Sequence, residues 1–328
     1  DFVLLKSDGI PTYHFAHVVD DHLMRTTHVV RAEEWLPTWP VHLELFRAFG
    51  WETPKFCHTA QLMKMDNGSK RKLSKRKDPE LSLEYYRSQG YLPEAVWEYL
   101  MTILNSNFEP WRLANGNKDL KEFEFTTAKM SNSGALFDLV KLNDISKQVI
   151  AKMSGERVYD LLSAWAKRYD PEFYHTITAE KDKTIAILSI GRNKKKPRKD
   201  IYCWSQGKEF IKFVYDRYYL QEDDYPISIQ VNDIQSILSS YLEMYDHCDQ
   251  KETWFEKIKL LTQKLGYAVR VKDYKQNRNK YRGSITDVTT VIRLAITGRS
   301  NSPDLWAIQQ LLGEEAVHKR ISQAMSYS

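Results

Sequence analysis

Cysteine is scarce in this sequence. The three that occur, Cys57, Cys203 and Cys248, stand far apart and form no CxxC pair, so neither a disulfide framework nor a thiolate zinc site is indicated, and a reducing, cytoplasmic setting is the simplest expectation. Long apolar runs are missing as well. None reaches the roughly eighteen residues a membrane-spanning helix needs, and Asp1–Lys6, although apolar, has no basic stretch before it and no small-residue cleavage site after it. That opening segment reads as a strand entered in mid-fold, with the natural protein expected to begin earlier. Neither GxGxxG nor GxxxxGK followed by Ser or Thr occurs, which removes the dinucleotide fingerprint and the P-loop from this stretch. No HExxH is found, and no repeat of fixed period is evident.

What is present is a chain of 328 residues, 42% hydrophobic and 12% aromatic, enough for a substantial core and better suited to two or three domains than to one. Formal net charge is only +5, but its placement is uneven. Between Lys64 and Lys77 stand seven basic residues against the single acid Asp66, and Arg192–Lys199 supplies six more cations. Charge gathered into two short stretches points to local phosphate contacts, against the alternative of a solvated basic loop.

The first sixty residues read as α/β. Phe2–Leu5 is apolar, Ser7-Asp8-Gly9 a turn, Pro11–Met24 a helix, Thr27–Arg31 a strand, and Pro40–Phe49 a helix opened by proline; the alternation predicts a parallel sheet. From about Leu81 onward helical periodicity takes over. The helix beginning at Pro93 places Val96, Trp97, Leu100 and Met101 on one face, with Leu104 continuing it. Val158–Trp165, Ile234–Tyr245, Trp254–Leu265 and Leu305–Leu312 behave alike. Breaks are expected near Asn143–Ser154 and Asp246–Glu252. The fold class is therefore mainly α, behind part of an α/β sheet.

The sharpest local feature is Asp66-Asn67-Gly68-Ser69-Lys70-Arg71-Lys72-Leu73-Ser74-Lys75-Arg76-Lys77. Asn-Gly marks a tight turn, and the cations that follow have no apolar period, so the stretch reads as a mobile loop. Mobile ammonium groups suit a triphosphate reaction, because they stabilise the charge that accumulates on departing pyrophosphate. Four histidines, His14, His17, His22 and His28, with Asp20 and Asp21, could alternatively be read as metal ligands, but no metal module accompanies them and no protein-held metal is expected there. Cys57 and His58 are neighbours on a strand, so they face opposite ways and cannot form a nucleophile–base pair.

Lys72-Leu73-Ser74-Lys75-Arg76 resembles the KMSKS signature of class I aminoacyl-tRNA synthetases, in the form common in the glutamyl branch. Its company is ordered as in that family: Pro11–Ala16 with Val18–Met24, then Thr27–Leu36, Gly90–Ala95, Leu136–Leu142, Ala295–Gly298 and Leu311–Gly313. The resemblance is thinnest from Ser163 to Asp287. Tyr13, His17 and Asp20 share one helix face by their spacing, and Arg31 ends an apolar strand, where open α/β sheets bind ligands and a guanidinium can hold a carboxylate.

The resemblance implies a C-terminal portion of a Rossmann-like catalytic domain (1–63), the lysine loop with stem-contacting helices (64–144), and a helical anticodon-binding region (145–328, with a split near 246). By the same resemblance Tyr13 and Arg31 bind glutamate, and so does His17, which stands where the family usually has Asn. Glu34, Leu62, Lys72, Ser74 and Lys75 serve ATP, with Lys72 and Lys75 acting on its phosphates, and Mg²⁺ is expected with the nucleotide. Arg76, Lys194, Lys195 and Lys196 are candidate tRNA contacts, and the aromatics Trp165, Trp204 and Trp254 could stack on anticodon bases or fill the core. The implied partners are glutamate and tRNA(Glu), with tRNA(Gln) as a further candidate, and no membrane. The HIGH-type motif is not in this stretch, so the 328 residues alone are expected to be inactive. Two rivals stand: a non-enzymatic RNA-binding protein built from synthetase-like parts, and the glutaminyl branch, whose members typically end in β-barrels rather than helices.

Overall fold

A computed structural model describes residues 2–131, 135–192 and 194–327. It is mostly helical and divides into two compact units, Asp1–Arg87 with Tyr91–Ile145 and Ser88–Gly90 with Ser146–Ser328.

In the first unit, α1 (Tyr13–Leu23), β1 (His28–Ala32), α2 (Trp39–Ala48) and β2 (Lys55–Thr59) follow one another, with a 3₁₀ turn over Glu33–Thr38. β1 and β2 run parallel, pairing Arg31 with His58, as a helix between two strands requires. Pro40 lies in the first turn of α2, where its missing N–H costs nothing. Val18, Leu45 and Phe46 seal the two helices onto the strands, with Leu4, Val41, Trp51 and Phe56 around them. The opening segment is not a strand. Asp1 lies outside the described residues, and the rest makes a single bridge between Leu5 and Pro11 around a turn in which Asp8 Oδ1 accepts from the Ile10 N–H at 3.0 Å.

β3 (Leu62–Asp66), β4 (Ser69–Lys72) and β5 (Ala135–Leu136) form a second small sheet, ordered β4-β3-β5. Asn67 and Gly68 both have positive φ, 47° and 82°, the geometry of the two-residue hairpin turn that Asn-Gly favours. Then come α3 (Leu83–Gln89), α4 (Pro93–Leu104), α5 (Phe108–Ala114) and α6 (Leu139–Ala151). The buried stripe of α4 is Ala95 and Tyr99, whereas Trp97 is exposed. The predicted face was thus rotated by about one residue: Tyr99, whose hydroxyl accepts the Asp138 N–H at 2.6 Å, carries the packing. α6 also runs through most of the segment read as a break; only Lys152–Ser154 separates it from the next helix.

The second unit holds α7 (Gly155–Tyr169), α8 (Pro171–Ala179), α9 (Lys181–Ser189), α10 (Trp204–Ile211), α11 (Val231–Met244), α12 (Lys251–Lys264), α13 (Val271–Gln276), α14 (Ile285–Thr297), α15 (Leu305–Leu312) and α16 (Glu314–Tyr327). α7 packs on α8, α9 and α10, and α14 on α11, α12 and α16. α14 buries Val288, Val291, Ile292, Leu294 and Ile296 together, each large aliphatic side chain contributing about 1.5–3 kcal/mol of transfer energy. Trp204 and Trp254 are core residues, the latter donating its indole N–H to the Tyr241 hydroxyl at 2.9 Å.

Gly298 ends α14 at φ 72°. Its carbonyl accepts the Glu222 and Asp223 N–H groups at 2.9 and 3.0 Å, and a Cβ there would lie 2.0 Å from the Leu220 carbonyl oxygen. Because that neighbour is backbone, it cannot rotate away. Gly298→Ala is expected to lose about 3 kcal/mol or more, combining left-handed strain with overpacking, read as a fall in the denaturation midpoint without a change in slope.

Candidate functional site

The carboxyl ends of β1 and β2 face a wall of rings. Arg31 projects from β1, and its guanidinium carbon lies 5.0 Å from the Phe56 ring centroid and 6.0 Å from Trp35. Its Nε donates to His58 Nε2 at 3.2 Å and its Nη1 to His42 Nδ1 at 2.9 Å. Nη2, although buried, has no hydrogen-bond partner among the described residues. A buried guanidinium nitrogen left open is costly unless a ligand completes it.

From α1, Tyr13 stacks on His17 (5.6 Å, 4°) and leans on Trp35 at 4.5 Å. His17 Nδ1 pairs with Asp21 Oδ2 at 2.8 Å, one turn on; its partner is Asp21 rather than the exposed Asp20 of the predicted face. Burial pushes the His17 imidazole below its ordinary value despite the Asp21 charge, and its Nε2 is also buried without a partner. Tyr13, His17 and Arg31, singled out from the sequence, are thus brought together around two open polar nitrogens. His42 and His58 were not foreseen. His42 is fully buried on α2, its Nε2 2.9 Å from His14 Nδ1, and burial, with the nearby His17, Arg31 and His14 charges, lowers it to about 4. Only its place on the buried face of α2, beside Leu45 and Phe46, could have marked it, and that pattern usually means an ordinary core residue. His22 instead stacks on Trp51, and among the described residues no three His, Cys, Asp or Glu side chains converge as metal ligands.

The basic segment differs from the mobile loop expected. Lys70, Arg71 and Lys72 lie on β4, and Leu73 is buried, its N–H donating to the Leu62 carbonyl. Arg71 donates to Asp66 at 2.6 Å and through both terminal nitrogens to Asp78 at 2.7 and 2.8 Å. Asp78 also accepts the Ser74 N–H at 2.8 Å, and the Arg71 guanidinium, then that N–H, hold its carboxyl far below the usual range. Lys64 reaches Glu80 at 2.7 Å. Carboxylates just beyond the run therefore neutralise part of it, an effect hidden when charge is counted only to Lys77. Lys72 pairs with Glu34, whose Oε2 also accepts from Gln61 Nε2 at 3.2 Å. Lys75 and Arg76 are exposed, with no ion-pair partner among the described residues. Leu62 lines an apolar cleft of about 230 Å³ with Leu100, Ile103 and Leu104.

In the second unit, Asn193 of the other basic run lies outside the described residues. Arg192 is a structural cation: its Nε and Nη1 donate to the Leu188 and Ile150 carbonyls at 2.5 and 2.8 Å. Arg198 grips Asp200. Lys194, Lys195, Lys196 and Lys199 are exposed. No helix among the described residues is long and apolar enough to cross a membrane.

Residues 1–144 match the catalytic domain of tRNA synthetases class I (E and Q), and residues 278–325 an anticodon-binding domain. Over nearly its whole length the chain is similar to glutamyl-tRNA synthetases of class I. It is 58% identical over 325 residues to the glutamate–tRNA ligase of Acetivibrio thermocellus, covering 99% of this chain and 60% of that relative. A Clostridium perfringens glutamate–tRNA ligase is 46% identical, covering 98% of this chain and 60% of its own length, and that of Thermus thermophilus is 34% identical, with 99% and 63% covered. The chain thus spans about 60% of the length of these synthetases. A crystal structure of the glutamate–tRNA synthetase from Elizabethkingia anophelis shares the fold at 24% identity and a TM-score of 0.66, over 99% of this chain and 62% of that one. The helical second unit agrees with the glutamyl rather than the glutaminyl reading.

Proposed function

We propose that this chain is the portion of a glutamate–tRNA ligase that seats the amino acid, carries the phosphate-handling lysines and binds tRNA. The open Nη2 of Arg31, buried between Phe56 and Trp35 beside Tyr13 and His17, carries the reading. A carboxylate there would complete the guanidinium and give the strong, charge-assisted contact that a fixed fork of donors favours. A crystal structure of the glutamate–tRNA ligase from Elizabethkingia meningosepticum is a complex with its amino acid, which suits a site of this kind. His17, with its free Nε2, offers a ring nitrogen where the family usually offers an amide.

In the first step a glutamate carboxylate oxygen attacks the α-phosphorus of ATP. The bond to the bridging oxygen breaks, leaving glutamyl-adenylate and pyrophosphate. Lys75 and Lys72 supply positive charge where pyrophosphate departs, and Lys72 leaves Glu34 to do so. Leu62 offers an apolar surface to the adenine, with Glu34 and Ser74 beside it. Magnesium would arrive on the ATP phosphates, as is usual for that ion. In the second step a hydroxyl of the 3′-terminal ribose of tRNA attacks the acyl carbon and AMP leaves. Arg76 and the exposed Lys194, Lys195 and Lys196 serve tRNA phosphates, tRNA(Glu) being the primary partner and tRNA(Gln) the second to test. Residues 1–63 act as catalytic sheet, 64–144 as lysine hairpin and stem contacts, and 145–328 as the anticodon-binding region.

The test is glutamate-dependent exchange of pyrophosphate into ATP, with charging of purified tRNA(Glu) and tRNA(Gln). A protein carrying this chain behind a complete class I nucleotide-binding half is expected to be active, and the 328 residues alone are not, for want of a HIGH-type motif. Exchange by the 328-residue chain itself, or failure of the longer protein to respond to glutamate, would refute the reading.

A further inference from the structure

The guanidinium of Arg31 is gripped from two sides by histidines of different elements. His58 stands opposite it in the parallel register of β1 and β2 and receives Nε at 3.2 Å; His42 comes from α2 and receives Nη1 at 2.9 Å. Neither histidine is needed to cover the ring wall, which Phe56, Trp35 and Tyr13 already form. Resting on the amino-acid reading above, we infer that His42 and His58 are positioning residues for substrate binding: two imidazole acceptors that fix the guanidinium so that its open Nη2 is presented to the carboxylate.

The arrangement works only with defined protons. A ring nitrogen that accepts from a guanidinium carries no hydrogen, so His42 bears its proton on Nε2 and passes it toward His14 Nδ1, 2.9 Å away. His58, receiving at Nε2, bears its proton on Nδ1. Burial first, then the Arg31 charge, keeps His58 below its ordinary value, and His42 sits at about 4, so both are neutral acceptors at neutral pH. A lysine or a loosely held arginine at position 31 would have many rotamers to order on binding; two acceptors on two elements remove that freedom beforehand.

Two measurements test this. The first needs only the 328-residue chain: long-range ¹H–¹⁵N spectra of the histidine rings at pH 7. His42 is expected as the Nε2–H tautomer and His58 as the Nδ1–H tautomer, with the His58 pattern lost in Arg31→Ala. His58 found as Nε2–H, or His42 as Nδ1–H, overturns the inference whatever the enzyme does. The second is kinetic, in the protein that carries the complete catalytic domain. His58→Leu is expected to raise the KM for glutamate about tenfold, the scale of one lost charge-assisted hydrogen bond, while the KM for ATP and the melting temperature stay put. His58→Gln, whose amide oxygen reaches the Nε2 position, restores most of the loss. His42→Asn, which places an oxygen at the Nδ1 position, does the same relative to His42→Leu; since His42 is fully buried, the His58 pair carries the decision if His42→Leu does not fold. An unchanged glutamate KM in His58→Leu, or a Gln variant no better than Leu, sinks the inference. If Arg31→Ala still destroys glutamate binding in that case, the functional reading stands without it.

Discussion

Arg31→Ala is expected to raise the KM for glutamate by at least about a hundredfold in the complete enzyme while leaving the KM for ATP within about twofold. The size follows from what is removed: truncating one partner of a buried, hydrogen-bonded charge pair typically costs about 2–5 kcal/mol. The guanidinium contributes that much because it is already paired on two sides, so almost no ordering remains to be done when the carboxylate arrives. Arg31→Lys should recover little. An ammonium cannot engage His42, His58 and a ligand in one plane, and it leaves the buried His42 acceptor or the half-buried His58 acceptor unsatisfied. Equal glutamate KM values for the wild-type and Arg31→Ala enzymes would remove the amino-acid site from this position.

Lys75→Ala carries the second large effect. It is expected to lower the rate of adenylate formation by about 10²–10³, the usual consequence of losing one donor that meets charge developing in the transition state, with the glutamate KM unchanged because Lys75 does not touch that site. Lys72→Ala should cost less than Lys75→Ala, since Lys72 must first part from Glu34, so part of what it gives the departing pyrophosphate is offset by a lost ion pair. Single-turnover formation of adenylate separates the chemical step from binding. Undiminished adenylate formation in the double variant would end the proposal that this hairpin handles phosphates.

Those two effects rest on residues that were visible in different degrees. Tyr13 and His17 could be placed on one face of α1 from their spacing, and Arg31 at the end of an apolar strand, but only the family resemblance joined the three in one site. The helices after Leu81 were legible from their periodicity, and Pro40 and Pro93 each marked where a helix begins. His42 and His58 were not, since each is a single polar residue whose meaning comes from what folds against it. The charged stretch misled in another way. Asp66 and Asp78 lie five and seven residues from Arg71, separations with no regular period, so only the hairpin reveals that they clamp one guanidinium. Phe2–Leu5 has the composition of a strand but makes only one isolated bridge among the described residues, and a strand needs a neighbour as well as a composition. Trp97 shows the same limit on a helix, where apolar residues on adjacent positions leave the buried stripe undetermined until Tyr99 finds Asp138.

The small sheet has a bearing on the order in which the molecule takes shape. On one edge β3 meets β4 across two residues, a pairing that can form as soon as that stretch exists; on the other it meets Ala135 and Leu136, which arrive only after α3, α4 and α5 have been made. Local contacts assemble quickly and distant ones late, so the signature hairpin acquires its second flank near the end of the first unit's assembly. During synthesis its cations would therefore be aligned with each other long before they are anchored to the body they serve.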